Sequence, residues 1–270
     1  MRCLLALVVA LWSSAAAAEP LQLAGDLVQG GLVRGLVPAG SEVWYAGRRL
    51  RVDEGGGFLL GFDRDEARAR DLRVRYPDGT EAVRRLEIAP RDYDIERIDG
   101  LPPRQVWPSA EDLVTIEADA RLIAAARGRD SAAPGVSDGF VWPVTGRVSG
   151  VYGSQRILNG EPRRPHRGVD VAAPPGTPVG AMADGVVSLA APTMYFTGGT
   201  VMLDHGHGLH SIYAHLSELE VALGQEVKRG ETIGRVGATG RATGPHLHWG
   251  VFWFERALDP ALLVGPMPRR

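Results

Sequence analysis

The chain is short of sulfur and of lysine: Cys3 is its only cysteine and Lys228 its only lysine. Cys3 stands before the apolar run Leu4 to Trp12 and not at its far end, so the sequence offers neither a disulfide framework nor a lipid attachment point after cleavage. Stability then has to come from core burial, with a metal in addition. A basic surplus is also missing, since 30 Lys and Arg face 32 Asp and Glu for a net charge of -2. That balance argues against a phosphate-backbone footprint and excludes nucleic acid as an expected partner. Long apolar runs are lacking too: Leu4 to Trp12 is about half of the roughly 18 residues that a spanning helix needs, so no transmembrane segment is expected. With Arg2 before it and Ala16 and Ala18 after it, this run reads as a secretory signal over residues 1–18. The mature protein is expected to be exported, to the periplasm or beyond.

What is present is an ordinary globular composition, 44% apolar and 23% charged. Residues 19–100 read as short strands with tight turns. Leu72, Val74 and Tyr76 alternate before Pro77, Asp78 and Gly79, a turn signal between two strands. This segment is expected to form a small β-sandwich-like domain. Residues 101–139 form a linker with a helix over about 109–127, capped by Ser109 and Asp112, with Leu113, Ile116, Ala120 and Ile123 as its apolar stripe. The helix is expected to pack on one domain, and a cover over a groove is the alternative. From 140 to 264 glycine and proline turns separate β-type runs, giving an antiparallel β domain whose runs "PPGTPVGAMADGVV" and "ALGQEVKRGETIGRV" share a pattern that hints at duplication. Residues 265–270 form a tail. The fold class is mainly β.

All seven histidines fall between positions 166 and 248. "GPHLHWGV" has strand alternation, which puts His246 and His248 on one face and Leu247, Trp249, Val251 and Trp253 on the other. "PHRGVD" reads as a loop entering a strand, with His166 four residues before Asp170. "YAHL" gives His215 on a strand face shared with Ser211 and Tyr213. Catalytic zinc takes three protein ligands from imidazoles and carboxylates and leaves one position to water. Two histidines and one carboxylate meet that need, and two imidazoles are left to work on water and substrate. The helical His-Glu-x-x-His signature is absent.

The segments "GRVSGVYGSQR", "HRGVDVAAPPGTPV", "VMLDHGHG", "YAHLS", "GQEVKRGETIGRVGATGRATGPHLHWGV" and "LDP" together resemble the lysostaphin-type zinc endopeptidases that cut peptide links in peptidoglycan. The resemblance covers residues 140–264. It implies the duplicated β fold of that family and one zinc ion per chain bound by His166, Asp170 and His248. His215 and His246 would be the catalytic pair, and a peptidoglycan stem peptide or cross-link the substrate.

Two other readings stand beside it: a wall-binding or amidase-activating module with little activity, and, by fold analogy, a phosphocarrier using paired histidines. The expected signal peptide argues against the second. Arg156 and Tyr195 are placed as substrate-groove residues. His205 is expected to be structural and His207 and His210 to face solvent, while Gly240 and Gly244 should permit a tight turn before the His-x-His strand. The cleaved bond, protein partners and oligomeric state are not specified by these residues.

Overall fold

The computed structural model describes residues 20–132 and 139–268. The expected signal at 1–18, Cys3 and residues 133–138 of the linker lie outside these residues. Among the described residues, no helix is long and apolar enough to cross a membrane.

The first segment folds into two antiparallel sheets. Gln22–Ala24, Leu32–Leu36 and Gly57–Gly61 make one; Arg48–Leu50, Glu42–Tyr45, Ala69–Arg75 and Glu81–Glu87 make the other. In Ala69–Arg75 the alternation holds from Asp71 onward: Leu72 and Val74 are buried, while Asp71, Arg73 and Arg75 face outward. Between the last two strands, Gly79 adopts φ +85° and Asp78 Oδ1 accepts from the Thr80 amide at 2.9 Å, which closes the turn.

These sheets do not end in a separate core. Tyr45 lies 6.0 Å from Phe62 and 6.0 Å from Trp253 of the second half, ring centre to ring centre. A Cβ on Gly61 would sit 2.5 Å from that of Trp253, so only glycine lets the strand Gly57–Gly61 approach this closely. An ion triad reinforces the seam: buried Glu66 accepts from Arg70 at 2.7 Å and from Arg256 at 3.1 Å. The last strand before the linker, Ile95–Ile98, pairs in parallel with Gln155–Leu158. Residues assigned by sequence to the N-terminal segment thus share a sheet with the second half.

The linker helix runs Ala110–Arg127. Ser109 Oγ accepts from the Asp112 amide at 3.1 Å, and Asp112 Oδ2 accepts from the Ser109 amide at 3.1 Å. The stripe expected for it needs correction, because Leu113 and Ala120 are exposed and the inward face is Asp112, Ile116, Asp119, Ile123 and Ala126. Polar partners decide this orientation. Asp112 takes a hydrogen bond from Arg104 at 2.7 Å, and Asp119 takes one from the Tyr195 amide at 2.7 Å.

The second half is built on a large antiparallel sheet. The strand His246–Trp253 lies inside it, between Leu209–Leu219 and Val169–Ala172. Its register sets Asp170 and Ala214 opposite His248 from the two sides. Trp249 and Trp253 are fully buried on the opposite face and fix that register, since a slip of one residue would expose both.

Burial raises the Glu66 carboxyl pKa, but Arg70 and Arg256 outweigh it and hold the group below its ordinary value. The stability this confers is complete above the unfolded-state pKa and is lost as pH falls through the lower folded-state value. Glu66→Ala is expected to lose about 3 kcal/mol in urea denaturation at pH 7. The gap to the wild type should narrow below about pH 4.

Candidate metal centre

His166 comes from the loop that enters the strand Val169–Ala172, Asp170 from that strand, and His248 from its antiparallel neighbour. His166 Nδ1–H donates to the Val151 carbonyl at 3.0 Å, which leaves its Nε2 as a lone-pair atom. That Nε2 lies 3.0 Å from Asp170 Oδ1 and 3.0 Å from His248 Nδ1, and the last two are 2.8 Å apart. Three acceptors packed this closely repel one another unless a cation lies between them. The donor set N, O, N suits zinc, and among the described residues it forms a group able to hold a metal ion. Two glycines permit the approach: a Cβ on Gly150 would be 2.5 Å from Asp170 Oδ2, and one on Gly168 2.9 Å from His248 Cε1.

The two remaining imidazoles stand beside this triangle. His215 is 4.7 Å from His246 and 6.2 Å from His248, ring centre to ring centre. His246 Nε2 lies 3.9 Å from Asp170 Oδ1. Backbone carbonyls fix both rings: Thr239 accepts from His215 Nδ1–H at 2.8 Å, and Gly244 accepts from His246 Nδ1–H at 2.8 Å. Both Nε2 atoms are thus left available. Burial, followed by the neighbouring imidazoles His248 and His246, pushes the His215 pKa down to about 3, so its ring is neutral at pH 7.

The strand face expected for His215 is corrected by its backbone. Tyr213 points into the opposite side, where its hydroxyl takes hydrogen bonds from Ser211 at 3.0 Å and from the Met182 amide at 2.8 Å. His215 reaches the metal side because its φ is +64°, a left-handed conformation that breaks the alternation.

A cleft of about 130 Å³ opens over this group, lined by His215, His246, Asp170, Arg156, Arg241 and Thr243, with Glu96, Ile98 and Leu101 from the chain before the linker helix. Arg156 is in it but is engaged by protein carboxylates: Nη2 donates to Asp170 Oδ2 at 2.6 Å and Nε to Glu96 at 2.9 Å. Tyr195 lies outside the cleft lining, its hydroxyl donating to the Arg104 carbonyl at 2.8 Å. Glu96 and Arg241 were missed by sequence reasoning. Arg241 stands in a motif already singled out, whereas Glu96 lies 60 residues from Arg156 and carries no local signal.

The other histidines divide differently from expectation. His205 is fully buried between the Asp184 carbonyl and Ser211 Oγ, each at 2.7 Å, and is structural. His210 is fully buried as well, its Nε2 at 2.9 Å from the Arg129 carbonyl, and His207 is half-buried; neither faces solvent freely. The chain following the helix, at Arg129, lies over the His210 ring and helps remove it from water. Gly240 does need its φ of +68°, but Gly244 has no positive φ and open space where a Cβ would be.

The profile of peptidase family M23 matches residues 164–260. A crystal structure of a candidate M23 peptidase from Pseudomonas aeruginosa superposes with a TM-score of 0.69 at 32% identity, covering 89% of this chain and 96% of that one. The chain belongs to peptidase family M23. Curated relatives match shorter stretches of the chain. The DD-carboxypeptidase/endopeptidase Mpg of Neisseria meningitidis is 45% identical over 105 residues, 39% of this chain and 24% of that protein. The peptidoglycan DD-endopeptidase ShyA of Vibrio cholerae is 48% identical over 85 residues, 32% of this chain and 20% of that protein. The chain thus spans a quarter or less of the length of these curated relatives.

In this M23 chain Arg156 occupies the Asp170 oxygen that faces away from the imidazoles, so that Oδ1 alone joins the triangle. Arg156→Ala is expected to weaken zinc binding about ten- to a hundredfold. Competition with a chromophoric chelator measures it, and unchanged affinity would remove Arg156 from the support of the site.

Proposed function

We propose that the chain is an exported zinc endopeptidase that hydrolyses peptide bonds in peptidoglycan stem peptides or their cross-links. The observation that carries this reading is the convergence of His166, Asp170 and His248 within 3.0 Å of one another beside two imidazoles with free Nε2 atoms. Zinc held by these three residues, one ion per chain, would polarise the peptide carbonyl and make a water acidic enough to attack near neutral pH. The chain's own groups do the rest. His246, the more open of the pair, takes the proton of the attacking water and returns it to the departing amine. His215, neutral at pH 7 with its proton committed to the Thr239 carbonyl, accepts a hydrogen bond at Nε2 and so orients the water from the other side of the cleft. The likeness to the peptidoglycan DD-endopeptidase ShyA supports peptidoglycan as substrate, and the leader read in residues 1–18 supports delivery to it.

The N-terminal half enters this proposal as part of the catalytic unit. Its strand Ile95–Ile98 and the following turn form one wall of the cleft. The carbonyls of Arg104, Gln105 and Val106 accept from Tyr195, Arg241 and Arg163 in succession, tying that wall down.

Purified protein incubated with defined muropeptides should release fragments whose masses locate the cleaved bond. Chelation should abolish release and zinc restore it. His246→Ala should lower turnover by about a hundredfold or more while keeping its metal, whereas His248→Ala should lose the metal itself. Undiminished release by metal-free protein would end the proposal.

A further inference from the structure

The arginines of the cleft are not equivalent. Arg156 is matched by Glu96 and Asp170. Arg241 has no carboxylate within ion-pair distance among the described residues: Nη1–H donates to the Gln105 carbonyl at 3.2 Å, and the guanidinium carbon lies 4.2 Å from the centre of the Phe196 ring. Burial, then the nearby charges of Arg156 and Arg163, lower its pKa to about 10, which still leaves it a cation at neutral pH. A guanidinium withdrawn from water beside other cations is unfavourable unless an anion joins it. For packing on Phe196 alone, an apolar side chain would serve better.

Its position is also fixed. The Arg241 amide donates to the Phe196 carbonyl at 2.8 Å, and a Cβ on the preceding Gly240 would fall 2.4 Å from the Gly198 amide nitrogen, so the turn is closely packed. The same turn supplies the Thr239 and Gly244 carbonyls that orient His215 and His246. Whatever Arg241 binds is therefore held at a set distance from the reacting groups.

We infer that Arg241 is the specificity residue of the cleft and binds a free carboxylate carried by the substrate peptide next to the scissile bond. The inference rests on the peptidase reading and narrows its substrate class to acidic peptides. The incoming carboxylate makes charge-assisted hydrogen bonds to the guanidinium edge and takes over the place of the Gln105 carbonyl. Recognition of this kind sets which peptide is cut without touching the metal ligands.

The test uses the full zinc-loaded chain and two probes: a synthetic cross-linked stem-peptide dimer with free carboxylates, and the same dimer with those carboxylates amidated. Wild type should prefer the free form by about tenfold or more in kcat/KM, chiefly through KM. Arg241→Gln should collapse that ratio toward unity, and Arg241→Lys should recover part of it. A ratio that is absent in the wild type, or unchanged in Arg241→Gln, overturns the inference; so does an equal loss on both probes, which would make Arg241 only a strut for Gln105. Calorimetric binding of both probes to the His246→Ala chain, with and without Arg241→Gln, reads the same ratio without chemistry. Selective binding without turnover in the wild type would sink the peptidase reading and leave only the carboxylate recognition by Arg241 standing. Turnover without selectivity would sink this one alone, and binding of neither probe would also overturn it.

Discussion

Three lone-pair atoms facing each other at 2.8 to 3.0 Å are the constraint on which the rest of this structure depends. Each would be better placed in water, or bonded to a donor, unless a cation occupied the space they share. The surroundings enforce the arrangement. Val151 commits the His166 proton to the far side of its ring, Arg156 occupies the outer oxygen of Asp170, and the register between two strands brings Asp170 opposite His248. Glycines at 150 and 168 remove the side chains that would force the group apart.

The N-terminal half contributes to that enforcement more than an appended domain would. Glu96, Arg156 and Asp170 alternate in sign across the seam, so the buried carboxylate is neutralised by a guanidinium that is itself held by a carboxylate from another segment. Tyr45 and Gly61 pack on Trp253, the last residue of the strand that begins at His246. Movement of the N-terminal sheets would therefore be felt at both ends of the histidine strand. The cleft wall at 98–106 is tied to the second half through three successive carbonyls.

Much of this was legible in the sequence wherever local rules suffice. The alternation in "HLHWGVFW" separates two imidazoles from two buried tryptophans, the turn at 77–79 announces its hairpin, and Ser109 with Asp112 announces a helix start. What stayed hidden depends on distant partners. The helix buries Asp112 and Asp119 because Arg104 and Tyr195 meet them, which no apolar periodicity reveals. His210 is covered by the distant chain at Arg129, and His215 reaches its place through a left-handed residue that strict alternation does not allow. Glu96 could not be tied to the site, because a parallel pairing across 60 residues leaves no local trace.

The most direct measurement is an anomalous difference map from crystals of the purified protein at the zinc absorption edge. The account predicts one peak per chain, about 2.0 to 2.2 Å from His166 Nε2, Asp170 Oδ1 and His248 Nδ1. A map with no peak there, with the three atoms pulled apart and each bonded to water or a separate donor, would contradict it.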